Sequence, residues 1–257
     1  MQIIPGRKRN GIHSGALRTW GMLFVAAGVI SRSVLQRGLL GMGSISGAQL
    51  LEVMNANENA MSIATVALVL QVLEACAVPI FAALLVEGFK HTANFKNYLL
   101  RVLGLAVASE VPYNLAISGK LLDFSSRNPV FGVALGLIVL AFYQYYAGRS
   151  AKNVAIKTVV TLAAVMWVGM LDIEYGVPMV LVSAVLWVFR ANTLLANVAG
   201  ATVSIVCSLS SLFMMAAPMG FLAVHSYNGE KGESNRTVDY LAYPVLLLGS
   251  FLASLVV

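Results

Sequence analysis

The sequence predicts an all-α, polytopic membrane bundle of about eight or nine transmembrane helices, with the N-terminus in the cytoplasm. Three observations predict it. The first is composition: the 257 residues are 59% hydrophobic and 11% charged, against about 45–50% and about 25% in a soluble domain. Eleven acids and seventeen bases cannot coat a soluble protein of this size. That excludes a soluble enzyme, a disordered chain and a secreted disulfide scaffold. The second is a series of apolar runs close to the ~20 residues that cross a bilayer. The third is the alternation of basic and acidic loops between those runs.

The runs are 16–35, 61–86, 98–117, 129–147, 154–171, 176–190 and 239–257, with a harder stretch at 195–225. As one helix that stretch would be about 46 Å long, beyond the roughly 30 Å hydrocarbon core. Gly200, Pro218, Gly220 and the cluster Ser208, Ser210, Ser211 indicate one long broken helix or two short ones. Arg7, Lys8, Arg9 and Arg18 precede the first run; Lys90, Lys96 and Arg101 follow the second; Arg149, Lys152 and Lys157 follow the fourth; Arg190 follows the sixth. The intervening loops carry fewer bases, Arg37, Lys120 and Arg127, and most of the acids, Glu52, Glu58, Asp123, Asp172 and Glu174. The positive-inside rule then orients the chain. The loop from Glu230 to Asp239 mixes signs and leaves the number of crossings in 195–225 open.

The chain reads as one domain over 1–257, with a cytoplasmic tail at 1–15 and an outer loop at 36–60. Within that loop Ser46 to Ala56 reads as a short interfacial helix or a solvated loop. The basic start reads as a retained first helix, since no small-residue cleavage site follows it. Cys76 and Cys207 lie in apolar runs and read as small hydrophobes. The net charge of +6 reflects loop bases, so no nucleic-acid partner is expected; the lipid bilayer is the partner that composition demands. No metal-ligand spacing, phosphate loop, dinucleotide fingerprint or nucleophile elbow is present.

The densest polar cluster runs from Pro79 to Asn114. Glu87 and His91 are four residues apart, so a continuing helix would place them on one face, where a carboxylate orients an imidazole for general-base work. An ion pair ending a helix is the plainer alternative. Lys90, Lys96 and Arg101 suit phosphate binding from the cytoplasmic side, or serve as simple topogenic charge. Glu110 lies late in the third run, beside Tyr113, which suits the membrane interface, and Asn114, which suits a loop or substrate contact. Glu74 falls near mid-membrane, where an acid must face the bundle interior or a wet cavity. Gln71 and Arg32 are its candidate partners. Asp172, Glu174 and Tyr175 form an outer turn that either bounds a pocket or is solvated. His225, Tyr227 and Asn228 mark the end of the 195–225 stretch, and His13 lies in the tail without an evident role.

These residues bring a family into view. PIFAALLVEGFKHT at 79–92, YLLR at 98–101 and SEVPYNLAISGK at 109–120 closely resemble the TraX family of bacterial membrane proteins. Further similarity follows in order: GIHSGALR at 11–18, Asn128 to Leu140, LDIEYGVPMVLVSAVLWVFR at 171–190, YNGEKG at 227–232 and YP at 243–244. The resemblance implies a membrane acyltransferase-like fold in the bacterial cytoplasmic membrane. It also implies N-terminal acetylation of pilin, with acetyl-CoA as co-substrate and a protein or small amine as acceptor. The residue reading and the resemblance together give an expected site with His91, Glu87 and Glu110 as catalytic residues, the family matches being Glu87, His91, Thr92, Arg101, Glu110, Glu174 and Tyr175. Lys90, Lys96 and Arg101 would bind the donor, and Glu74, Asn114, Glu174 and Tyr175 the acceptor; no metal is expected. The chain departs from the family pattern at three places. Counting without gaps, an Asp-His pair falls on Gly28 and Val29, a Gly-Arg pair falls on Glu74 and Ala75, and a histidine falls on Leu246. Those losses raise one alternative, a non-catalytic scaffold of a membrane or pilus machine; Glu74 in mid-membrane and the Pro/Gly-broken 195–225 stretch raise another, a small transporter.

Overall fold

The computed structural model describes residues 11–41, 58–232 and 236–257. The interfacial helix expected at Ser46 to Ala56 and the bases Arg7, Lys8 and Arg9 lie outside them. Among the described residues the chain is helical, with two isolated β-bridges and no strand. The helices are α1 (Ser14–Ile30), α2 (Glu58–Ala75), α3 (Ala77–Lys90), α4 (Phe95–Ser118), α5 (Val130–Tyr145), α6 (Ala151–Met170), α7 (Gly176–Val188), α8 (Thr193–Val206), α9 (Gly220–His225) and α10 (Arg236–Val256). A π-helix, Ser31–Leu39, continues α1, and a 3-10 helix, Leu212–Met219, leads into α9.

Five segments are long and apolar enough to cross a membrane: 14–39, 59–90, 95–118, 151–170 and 237–256. Four shorter apolar segments, 130–145, 176–188, 193–209 and 212–225, lie between them. The chain is therefore a multi-pass helical membrane protein. Exposed apolar side chains mark the lipid-facing elements, such as Val159, Leu162 and Met166 on α6 and Leu241, Val245 and Leu252 on α10. Helix α7 is apolar all round and buried over most of its length, as a central helix must be.

The 195–225 stretch folds as a hairpin of two short apolar arms, 193–209 and 212–225. Cys207 and Ser210 close its turn through a 3.0 Å backbone bond. Both outer ends, Thr193 and His225, border one cleft with Lys90 and Arg190. The loop after α9 joins the N-terminus: Ile12 N donates to Ser226 O at 2.9 Å and Asn228 N to Ile12 O at 3.0 Å. So the described start of the mixed-charge loop, Glu230 and Lys231, lies on the N-terminal face, bonded to Ser14. The opposite face is tied by Arg127 N to Asp172 O at 2.9 Å and Glu174 N to Arg127 O at 3.0 Å. Polar side chains cap the helices that start on the N-terminal face: Asn94, Ser150 and Asn192 each accept a backbone N–H.

The second apolar run is broken, not continuous: α2 ends at Ala75 and α3 begins at Ala77. The break lets another backbone come close. A Cβ at Gly220 would overlap the carbonyl oxygen of Cys76 and come within 2.7 Å of Pro79 Cγ. Cys76 and Cys207 are both buried and free. Gly220→Ala should therefore lower stability by about 1–3 kcal/mol through overpacking. Gly104→Ala on α4, where a Cβ meets nothing within 4 Å, should be neutral or stabilising. Thermal unfolding of the two variants in one detergent checks the contrast.

Candidate functional site

Two polar centres lie at opposite ends of the bundle. The first is a cleft of about 410 Å³ on the N-terminal face, where α3, α7, α8 and α9 converge. Its polar wall is Glu87, Lys90, Arg190, Asn197, His225 and Tyr227, and its apolar wall includes Ala83, Val86 and Leu186. The Arg190 guanidinium lies over the Trp187 ring, 4.2 Å from its centroid, and donates to Trp187 O at 2.8 Å. Trp187 itself packs edge-on against Phe89. Arg190 is thus held by an aromatic base that is fixed in the core, which pre-organises the cation for an anion. Burial, and then the nearby Glu87 carboxylate, push the Tyr227 phenol up, so it stays a protonated donor.

The expected Glu87–His91 pair forms, with His91 Nε2 and Glu87 Oε1 2.9 Å apart, and Lys90 Nζ reaches Glu87 Oε2 at 3.2 Å. His91 caps the end of α3, however, and its side chain is 74% exposed. Glu87 and Lys90 line the cleft; His91 does not. Lys96 and Arg101 are exposed on the first turns of α4, outside the cleft, where Arg101 Nε donates to Asn97 O. Arg190 and Asn197 take their place, together with His225, whose Nδ1 accepts from Asn197 at 3.5 Å. Arg190 reads in sequence as a topogenic charge, and only the packing of Trp187 beneath it sets it apart.

The second centre is buried in the far half of the bundle. The π-helix carries Arg32 inward. Its Nη2 meets Glu74 Oε1 at 2.5 Å and its Nη1 bonds Glu174 Oε1. Tyr113 donates to Glu174 Oε2 at 2.8 Å and also meets Ser126 Oγ at 3.0 Å. Tyr175 donates to Glu74 Oε2 at 3.3 Å. Of the two candidate partners for Glu74, Arg32 makes the ion pair. Tyr113, expected at the interface, is instead fully buried, packed with Val29 and Tyr243. Glu174 and Tyr175 turn inward from the outer turn, while Asp172 remains exposed. Glu110 lies at this same end, far from Glu87: it accepts from Arg127 at 3.1 Å and from Asn128 at 3.3 Å. The residues expected to act with His91 are therefore divided between the two ends. Asn114 is buried, and its Nδ2 has no hydrogen-bond partner among the described residues.

Gly28 explains how Glu74 fits. A Cβ at position 28 would overlap the Glu74 carboxyl group. The resemblance implies an acid at 28 and a glycine at 74. Here the two are exchanged across the α1–α2 contact, and the carboxylate of Glu74 fills the space next to residue 28. A carboxylate absent from its expected position in sequence is thus supplied by the neighbouring helix.

The charge arrangement orders the consequences of substitution. Arg32→Leu strands two buried carboxylates and should cost about 3–5 kcal/mol, whereas Glu74→Ala leaves Arg32 with Glu174 and should cost less. Thermal unfolding in detergent should rank the two in that order.

Comparison with known proteins assigns the chain to a family. The chain is 27% identical over 190 residues to the "Probable fimbrial assembly protein FimC, serogroup H1" of Dichelobacter nodosus, covering 65% of this chain and 75% of that protein. No solved structure matches. The sequence profile described as "TraX protein" matches residues 48–252. With most of its length inside that match, the chain belongs to the TraX family.

Proposed function

We propose that this protein is an acyltransferase of pilus or fimbrial assembly in the bacterial cytoplasmic membrane, taking an acetyl group from cytosolic acetyl-CoA and passing it to an amine. The observation that carries the reading is the base-lined cleft on the face that bears the basic loops. Lys90 and Arg190 would hold the donor's phosphates, since a guanidinium and an ammonium at one site offer charge-assisted bonds to an anion. The apolar wall of Ala83, Val86 and Leu186 would take the uncharged arm. The fimbrial relative supplies the setting.

The chemistry asks for a deprotonated nitrogen and a route for its proton. A bond forms between that nitrogen and the acetyl carbonyl carbon. The carbon–sulfur bond breaks, and the thiolate leaves with the bonding pair. Glu87 is the carboxylate that faces the cleft, and it would take the proton and return it to the thiolate. His91 holds Glu87 from outside the cleft, so it acts in this reading as a positioning residue.

Two outcomes test the reading. In calorimetry on the detergent-purified protein, acetyl-CoA should bind saturably, and Lys90→Ala/Arg190→Ala should weaken it about tenfold or more. Lys96→Ala/Arg101→Ala should leave it within about threefold, because those residues lie outside the cleft. No binding at millimolar acetyl-CoA would remove the donor site and leave the scaffold role. In an active preparation, Glu87→Gln should lower kcat by about 10²-fold or more. His91→Ala should lower it less, with a shifted pH profile; an unchanged rate and profile would end the role of His91.

A further inference from the structure

We infer that the corner between α5 and α6 binds an anionic phospholipid of the leaflet on the N-terminal face, with the head group at Arg149 and Lys152 and the acyl chains along α6. The inference is independent of the acyl-transfer reading.

The sequence isolates the charge. From Phe124 to Leu171 the chain contains no Asp or Glu, while Arg149, Lys152 and Lys157 fall close together. Arg149 and Lys152 are exposed. Among the described residues, none of the three bases enters a salt bridge. A group of bases without a counter-charge in its own chain attracts an anion from outside. Lys157 folds back: its Nζ donates to Gly148 O at 3.0 Å and lies 5.9 Å from the centroid of the Tyr143 ring. The Tyr143 hydroxyl in turn meets Thr161 Oγ1 at 2.9 Å. The third cation is therefore fixed at the peptide that joins Gly148 to Arg149.

The location selects the ligand. Arg127, just before α5, is tied to Asp172 on the far face, so the end of α5 and the start of α6 lie on the N-terminal face. Helix α6 packs against α5 and α7, and its buried residues are Ala164 and Val168. Its other side is open to lipid. Lys152, Val159 and Met166 are seven residues apart, so they stand nearly in line on one helix face. Val159 and Met166 are each 64% exposed, and the exposed Leu162 lies beside them. The ammonium of Lys152 thus heads an apolar stripe that runs about 21 Å down to Met166. A phospholipid has the same order, an anionic head and then apolar chains. A soluble anion would match the bases alone.

Aromatic side chains mark the same depth. Tyr145, 81% exposed, packs edge-on against Tyr146 with centroids 4.9 Å apart, and Tyr146 stacks with Phe142. Tyrosines at the end of a span sit at the level of the head groups, where a phenol donates to phosphate or glycerol oxygens. The Arg149 guanidinium offers a forked pair of donors to the same phosphate.

Topogenic charge asks only for sign, which Lys90 and Arg190 carry on the same face. A site asks for these bases in particular, and that difference is the test. The full-length protein in detergent is incubated with phosphatidylglycerol or with phosphatidylcholine of the same acyl chains, and native mass spectrometry reads the lipid retained. The wild type should hold the first phosphatidylglycerol about tenfold more tightly than phosphatidylcholine. Arg149→Ala/Lys152→Ala should remove that preference. Lys90→Ala/Arg190→Ala, matched in charge, should leave it within about threefold. Inorganic phosphate in large excess should not displace the lipid. Equal retention of the two lipids by the wild type overturns the inference, and so does an equal loss in both double variants. Displacement by phosphate overturns the lipid and gives the site to a free anion. Arg149 and Lys152 are exposed, so thermal unfolding without lipid should be unchanged in their variant, and the wild-type comparison stands without it.

Discussion

A guanidinium placed in the membrane must be matched where it lies, and most of this bundle is arranged around that demand. Arg32 is reached by elements distant in sequence: Glu74 from the end of α2, Glu174 from the turn before α7, and Tyr113 of α4 through Glu174. Charge in lipid is tolerated when it faces the interior and is paired. The π-helical continuation of α1 serves the same end. Its buried Ser31 donates to Ala67 O and its buried Ser33 to Ser250 O, bonding the segment to α2 and α10. The widened turn occurs where the backbone has to deliver Arg32, in keeping with the association of π-turns and functional positions.

The two faces then acquire different chemistry. The N-terminal face gathers Lys90, Arg190 and His225 around an open cleft. The far half gathers carboxylates and phenols around one guanidinium. The same asymmetry of charge orients the chain in the bilayer. The broken second span joins these regions: Glu87 lies near the end of α3 and Glu74 near the end of α2, with the break between them.

Much of the fold was legible because membrane rules are strict. A bundle of apolar helices follows from length and hydropathy alone. The hairpin in 195–225 needed the pairing of Ile12 with Tyr227, a contact across more than two hundred positions that no local pattern encodes. For the site, a mid-span acid announces an inward-facing partner, and Arg32 was within view as one. Tyr113 was misplaced because a tyrosine near a helix end ordinarily marks the interface; here Glu174 and Ser126 satisfy its hydroxyl inside. Lys90 and Lys96 look equivalent in sequence. They differ because α7 and α8 end beside α3, and that is tertiary information.

Positions 28 and 74 carry the deepest difference between sequence and structure. By the resemblance, Gly28 stands where an acid is expected, and Glu74 where a glycine is. In space they are one feature, since the carboxyl of one occupies the volume that the other vacates. Each half constrains the other: a side chain at 28 would collide with Glu74, and a small residue at 74 would leave Arg32 with one carboxylate fewer and a void beside it. A polar centre in a membrane interior is constrained by position, charge and hydrogen bonding, and any backbone atom within reach can supply the side chain that meets those constraints. A lost motif residue therefore says that a particular helix no longer carries the group. Whether the site still has it depends on what the facing helix presents, and here the facing helix presents a carboxylate.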